Sequence, residues 1–327
     1  MRILVTGGTG FTGKALVSRL LNDGHEVVAL DYKEGLKTEE LRASGAEVVI
    51  GSVTDKEILE RCMPGVDVVQ HLAAAFRELN VPDTYYYDVN VNGTRNVLDA
   101  AQRHGVRKVV YCSTCGVHGN IDNPPGDEDA PIQPADYYQK TKYQAEPFVK
   151  EASKNGLDAV ILRPAAIYGP GDPERFFMIF KRVSKGRFPM FGNGRTFYHP
   201  LYIDNLVDAL VLAMAPGKGT GEAYLIADEQ YVTIEDLVRR IGKALNVNVK
   251  VPHYPVMPLV VSGHVMETLC RPFGITPPIF PRRVDWYRQN RAFKIDKAKR
   301  DLGYDPKVGL DEGLKRTAEW YKREGYL

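Results

Sequence analysis

The stretch Met1-Arg-Ile-Leu-Val-Thr-Gly-Gly-Thr-Gly-Phe-Thr-Gly13 governs how the rest of this chain is read. Arg2 to Val5 is a short apolar run, expected to form a buried strand. From Lys14 the pattern turns helical, with Ala15, Leu16, Leu20 and Leu21 on the inward side. Three glycines between these segments have separate duties. Gly7 permits a tight turn, Gly10 admits a diphosphate close to the backbone, and Gly13 lets the helix pack on the strand. The open helix N-terminus, with Phe11 and Thr12 in it, offers unpaired N–H groups and a partial positive charge to phosphates. Glycines at this spacing, directly after a strand and before a helix, predict a dinucleotide-binding turn.

Length and composition fit that reading. A chain of 327 residues, 44% hydrophobic and 26% charged, can bury the core of one large domain with a smaller lobe. A net charge of +2 with no basic run excludes a dedicated nucleic-acid surface. The sequence opens in a strand, so no leader peptide is expected. Cys62, Cys112, Cys115 and Cys270 are too few for a disulfide framework, and a reducing cytoplasmic setting is expected. Cys112 and Cys115 have CxxC spacing, but a zinc site needs two more ligands and no second pair is visible, so no metal is expected. The apolar segment from Pro255 to Cys270 is too short to span a bilayer and contains His264 and Glu267. It is expected to be an amphipathic helix over an apolar pocket, without stable membrane insertion.

Further along, strands and helices alternate without hairpin signals. Strands are expected at Glu26–Leu30, Ala46–Gly51, Val66–Leu72, Lys108–Cys112, Ala159–Leu162 and Glu222–Ile226. Helices are expected over 83–104, 135–155, 207–214 and from the cap Thr233 to Leu245, and the loop over 120–134 is read as surface. This pattern predicts an α/β fold with a doubly wound parallel sheet. Residues 1–168 would form the dinucleotide-binding domain, rejoined by 203–228. Residues 169–202 and 229–327 would form a smaller, mainly helical substrate lobe. Asp31 ends the second strand about twenty residues past the glycines, where its carboxylate would accept ribose hydroxyls and repel a 2′-phosphate, favouring NAD over NADP. Small residues at Ala73-Ala74-Ala75 let a flat cofactor approach the strand end.

Tyr138 and Lys142 lie four residues apart near the start of a helix, which puts them on one face. A free tyrosine titrates near 10, so acting as a base at neutral pH needs a depression of roughly three units, or about 4 kcal/mol. Lys142 and an oxidised nicotinamide are the expected sources. Of the 18 tyrosines, only Tyr138 has a lysine four residues later. Thr114, at the end of the preceding strand, would hydrogen-bond the substrate oxygen, with Ser113 the neighbouring alternative.

With these residues in place the chain resembles the extended short-chain dehydrogenases/reductases of the NAD-dependent epimerase/dehydratase superfamily. The likeness rests on Thr6-Gly7-x-x-Gly10-x-x-Gly13, Asp31, His71-Leu-Ala-Ala74 and Asn90-Val-Asn-Gly-Thr94. It continues in Tyr111-Cys-Ser-Thr114, Val117-His-Gly119, Tyr138-x-x-x-Lys142, Leu162-Arg-Pro164, Ile167-Tyr-Gly-Pro170 and Tyr202-Ile-Asp204. It ends in Lys297-Ala, Leu302-Gly-Tyr-x-Pro306 and Trp320, covering nearly the whole chain. The resemblance implies a Thr114/Tyr138/Lys142 active site and subunit pairing through the helices near 84–104 and 135–155. It further implies NAD contacts from Ser52, Val53, Leu72, Ala73, Ala74, Asn90, Cys112, Ser113, Tyr138, Lys142, Pro164 and Ile167, besides the glycine loop and Asp31.

The departures bear on the substrate. Dehydratases of this kind carry an Asp-Glu pair after the active-site threonine, where this chain has Cys115-Gly116, so dehydration is disfavoured. Sugar-nucleotide enzymes commonly place Asn at Ala166 and a phosphate-pairing Arg at Phe197, although Arg187, Arg195 and His199 stand nearby. Ser52 replaces a customary adenine-contacting Asp. Leu162 to Gly171 and the apolar Val256–Leu269 stretch look more like the 3β-hydroxysteroid dehydrogenase branch. The expected function is NAD-dependent oxidation or reduction of a secondary alcohol or ketone on a bulky, ring-like small molecule. The alternatives are a nucleotide-sugar epimerase and a non-catalytic NAD-binding protein.

Overall fold

The computed structural model describes every residue except 36, 77–80, 173–174 and 271–283, and it leaves out the side chains of 175, 264 and 267–270. Seven strands form one sheet: β1 (Arg2–Thr6), β2 (Glu26–Asp31), β3 (Glu47–Ile50), β4 (Val68–His71), β5 (Lys108–Cys112), β6 (Ala159–Pro164) and β7 (Ala223–Ile226). Their order is β7-β6-β5-β4-β1-β2-β3, and every pairing is parallel. The sheet is therefore the expected doubly wound one. Chain order reverses between β1 and β4, which opens a crevice at their carboxyl ends.

A parallel sheet covered on both faces needs apolar residues on both, and β4 and β6 are buried at every position. The period-two alternation sorts the sheet residues into two cores. Ile3, Val5, Val27, Val68, Val110 and Val160 pack with Leu16, Val17 and Leu20 of helix Phe11–Asn22 and with helix Ile203–Leu212. Leu4, Val28, Val69, Val109 and Ile161 pack with helices Lys56–Cys62, Gly93–Arg103 and Tyr137–Lys154.

Three expectations shift. The helix expected over 83–104 is interrupted: Asp83–Tyr87 and Gly93–Arg103 flank a wider turn, Asp88–Asn92, with five-residue hydrogen-bond spacing. The loop over 120–134 is not a free surface loop. It pairs with 290–294, where Ile121 N–H donates to Asn290 O (2.9 Å) and Gly126 N–H to Ala292 O (2.9 Å), because Ile121 itself is buried. The C-terminal region is chiefly helical, with Ile234–Leu245 against Leu310–Arg323. Among the described residues it also holds three two-stranded pairs, too short for any alternation to show in sequence: Ala166–Tyr168 with Pro200–Tyr202, Phe197–Tyr198 with Val232–Thr233, and Met190–Phe191 with His253–Tyr254. The segment from Pro255 is helical from Met257 to Cys270, with Leu259 turned to the central cavity and Met257, Val261 and Val265 exposed. Among the described residues no helix is long and apolar enough to cross a membrane.

Candidate active site

The carboxyl ends of β1 to β6 open into one cavity of about 2750 Å3. It runs from the glycine loop and Asp31, past Ala73, Ala74 and Ala75, to Thr114, Tyr138 and Lys142. From there it continues into an aromatic chamber formed by the C-terminal region.

At the first end the glycines behave differently. Gly7 has φ +71°, and a side chain there would press on the Ala73 amide nitrogen at 2.9 Å. A Cβ on Gly13 would stand 1.9 Å from Gly7 O, so this glycine lets the helix close against the loop rather than against the strand proper. Gly10 differs, since a Cβ there would meet nothing nearer than Gly7 O at 3.4 Å. The fold itself does not require a bare backbone at Gly10, whereas a diphosphate lying on it does. No side chain caps helix Phe11–Asn22, so its leading N–H groups stay open toward the cavity. Asp31 accepts hydrogen bonds from Thr9 N–H (3.1 Å) and Thr9 Oγ1 (2.9 Å), which ties β2 to the glycine loop while the carboxylate still lines the cavity.

Every residue expected to touch the cofactor lines this cavity except Asn90. Asn90 is fully buried behind it. Its Oδ1 accepts from Ala75 N–H (2.7 Å), and its Nδ2 donates to Ala75 O (3.2 Å) and Thr141 Oγ1 (2.9 Å). The widened turn over 88–92 aims it at the strand end, so Asn90 braces the alanine stretch against the helix of Lys142 rather than lining the cavity. His71, which carried no chemical expectation, completes the brace. Thr6 Oγ1 accepts from Ala73 N–H (3.2 Å) and bonds His71 Nδ1 (2.7 Å), while His71 Nε2 bonds Thr94 Oγ1 (3.0 Å). Thr94 donates onward to Asn90 O, which assigns the remaining proton to Nε2. Burial and the nearby Lys142 ammonium push His71 down to about 3, so it is neutral.

Beyond β5 the two hydroxyls diverge. Ser113 is buried and donates to Glu146 Oε1 (2.7 Å). Thr114 lines the cavity, and its Oγ1 accepts from Gly116 N–H (3.1 Å), leaving its own proton to donate. The Ser113 hydroxyl is thus engaged inside the protein, while that of Thr114 keeps its proton at the cavity wall. Behind it Glu146 forms a two-pronged ion pair with Arg163 (2.6 and 3.0 Å), whose Nη1 donates to His118 Nε2 (3.0 Å). Both charged side chains are almost fully buried, at 1% and 5% exposure. Removing one partner from such a pair leaves a buried charge uncompensated. Arg163→Met is expected to cost about 3–5 kcal/mol in urea unfolding. Glu146→Leu in the same chain should restore most of it, and a double variant no more stable than Arg163→Met would contradict this account.

Asp136 caps the helix that presents Tyr138, its Oδ1 accepting from Gln139 N–H (2.8 Å). The Tyr138 ring lies 4.8 Å from that of Phe76, at 60°. Lys142, one turn later, is 1% exposed, and its Nζ has no hydrogen-bond partner. Burial brings its pKa down to about 8, against the upward pull of Cys112 and Glu146. An orphaned, buried ammonium at the cavity wall is costly unless something else binds there.

The far chamber was not legible from motifs. Phe188, Phe191, Tyr198, Trp286, Tyr287 and Phe293 converge on it in edge-on and tilted contacts, such as Trp286–Tyr287 at 4.9 Å and Phe191–Tyr287 at 5.5 Å. Cys115, Gly116 and Ala166 line the cavity. Phe197 does not; it packs edge-on against Tyr231 at 5.3 Å. Of the nearby cations, Arg187 bonds the Tyr254 hydroxyl (2.8 Å), and neither it nor Arg195 lines the cavity. His199 does line it, but both its ring nitrogens are engaged, with Asp228 O (2.8 Å) and Phe293 N–H (3.2 Å). Cys62 and Cys112 are free thiols, and the described residues contain no cluster suited to a metal ion.

A glycine loop at the reversal of a parallel sheet, feeding a cleft toward an orphaned lysine, defines a dinucleotide-dependent enzyme of the Rossmann class. Comparison with known proteins narrows it: residues 3–227 match the model of the NAD dependent epimerase/dehydratase family, to which this chain belongs. It is 32% identical to the 3beta-hydroxysteroid-dehydrogenase/decarboxylase isoform 1 of Arabidopsis thaliana, over 97% of this chain and 78% of that one. It is also 32% identical to the 3 beta-hydroxysteroid dehydrogenase/Delta 5-->4-isomerase of Mycobacterium tuberculosis, over 98% and 90%. Among solved structures, UDP-glucose 4-epimerase of Thermotoga maritima superimposes with a TM-score of 0.82 at 28% identity, covering 99% of each chain. The protein is thus an NAD-dependent enzyme of the extended short-chain dehydrogenase/reductase type.

Proposed function

We propose that this protein oxidises or reduces a secondary alcohol or ketone on a bulky, ring-like, largely apolar small molecule, using Thr114, Tyr138 and Lys142. The observation that carries the reading is the orphaned Nζ of Lys142 on the wall of a cavity that joins the glycine loop to an aromatic chamber. Bound NAD supplies the hydride acceptor, and NADH the donor in reverse. Gly7, Gly10 and Gly13 would take its diphosphate, Asp31 its adenosine ribose, and Lys142 its other ribose.

The protein's own part is proton transfer and positioning. Thr114 Oγ1, already accepting from Gly116 N–H, directs its proton toward the substrate oxygen. Tyr138 as phenolate takes the hydroxyl proton during oxidation and returns it during reduction. The Lys142 ammonium lowers the charge cost of that phenolate. Cys115 and Gly116, beside Thr114 on the cavity wall, offer neither the acid nor the base that elimination of water requires. The aromatic walls favour a flat hydrophobic ring system over a hydrated sugar. The two hydroxysteroid relatives support the same choice.

The second reading is a nucleotide-sugar epimerase, favoured by the likeness to the Thermotoga epimerase. Cofactor balance separates the two. A dehydrogenase given sterols or other ring alcohols with NAD accumulates NADH in proportion to product. Interconversion of UDP- or dTDP-sugars with no net NADH, and no reaction with any ring alcohol, would replace the first reading by the second.

A further inference from the structure

Lys142 lacks any hydrogen-bond partner, yet it is not without support. Its Nζ stands 4.2 Å above the centre of the Tyr111 ring. The Tyr111 hydroxyl donates to the Lys142 backbone carbonyl at 3.1 Å. One residue of β5 thus holds both ends of the lysine. Tyr111 itself is fully buried, and the His71 ring lies 5.6 Å from it. An aromatic face is negative, so it attracts an ammonium, most strongly where water is excluded. The i, i+4 pairing with Tyr138 acts only if the amine stays protonated at the correct height on the helix.

We infer that Tyr111 is the positioning residue of the Lys142 ammonium: its ring face carries the charge. This rests on the Thr114–Tyr138–Lys142 reading for its functional meaning, but the ring–ammonium contact stands on geometry alone. Other groups also face the amine. Glu146 does so from its own helix, Cys112 from β5, and neutral His71 from β4. Glu146 and Cys112 favour the charged amine, the nearby His71 is uncharged, and burial opposes the charge. Glu146 is already spent on Arg163 and Ser113, which leaves the Tyr111 ring as the group in direct contact with Nζ.

The contact predicts a graded response. Tyr111→Phe keeps the ring, and phenylalanines with one, two and three ring fluorines at position 111 keep the shape while draining the negative face. The titration of Lys142 is followed in the cofactor-free full chain by 15N NMR of Nζ, assigned by its loss in Lys142→Met. Tyr111→Phe should titrate as the native protein does. The fluorinated series should lower the pKa step by step, by about one unit in all, a roughly tenfold loss of proton affinity. An unchanged pKa across the series overturns the inference, as does a fall in Tyr111→Phe equal to that of the trifluoro ring. The alkaline limb of NAD-linked turnover should move to lower pH along the same series. If Nζ titration moves and turnover does not, the ring–ammonium contact stands and the catalytic role of Lys142 fails.

Discussion

Tyr138→Phe is expected to reduce NAD-linked turnover by about 10²- to 10⁴-fold, the usual worth of a positioned acid–base group. The phenylalanine keeps the ring that packs 4.8 Å from Phe76, so the fold and the aromatic contact survive. What disappears is the one hydroxyl assigned to carry the proton. NAD affinity, measured by calorimetry, should fall far less than turnover, because the contacts proposed for the glycine loop, Asp31 and Lys142 are untouched. The loss should fall on kcat and on kcat/KM alike, the mark of an interaction made in the transition state. Undiminished turnover on a confirmed substrate would remove Tyr138 from the mechanism.

Lys142→Met should separate stability from function. The ammonium of Lys142 is buried without a hydrogen bond, and its pKa falls from 10.5 to about 8. That fall corresponds to roughly 3 kcal/mol against folding of the cofactor-free protein. The sign follows from linkage. The folded-state pKa is the lower one, so the penalty is complete below pH 8 and fades as pH rises toward 10.5. Met has a similar shape and no charge to bury. The variant should therefore be more stable than the native protein at pH 7 by up to about 3 kcal/mol, with the advantage vanishing near pH 10.5. NAD binding should weaken about tenfold to a hundredfold with the loss of a charged hydrogen bond, and turnover should fall further. Denaturant melts at pH 7 and pH 10 with calorimetry of NAD form the check. A less stable variant with native NAD affinity would contradict both halves.

Such a gain by removing a residue follows from how the site is built. Lys142 is buried with no hydrogen bond to its ammonium from the protein. The Glu146–Arg163 pair one turn away shows the opposite arrangement, a buried charge fully answered within the chain.

Much of this was legible in the order of residues. The glycines at 7, 10 and 13, the carboxylate at 31 and the Tyr–Lys pair at 138 and 142 are local signals. Their spacing on one strand–turn–helix, or on one helix face, is set by backbone geometry alone. Alternating apolar runs likewise announce a parallel sheet, because a strand buried on both faces tolerates little else. The expected preference for Thr114 over Ser113 needed only the alternation of a strand; the structure gives the Ser113 hydroxyl to Glu146 and leaves Thr114 on the cavity wall.

The rest depended on residues that approach only through the fold. Asn90 fits the family pattern of a cofactor contact, but a widened helical turn withdraws it behind Ala75, which no spacing rule announces. Phe197 sits where a phosphate clamp was considered, yet it packs on Tyr231 outside the cavity. The aromatic chamber draws on segments around 188–198 and 284–293, far apart in sequence, and the two-residue strands within the first are too short to leave a periodic trace. Tyr111 reads in sequence as one more apolar residue of a buried strand, and only the tertiary structure sets its ring beneath the Lys142 ammonium. By itself the sequence determined the glycine turn and the shared helix face of Tyr138 and Lys142, since both are written in local backbone periodicity. Only the tertiary structure decided what surrounds them, because burial and the approach of distant side chains are properties of packing.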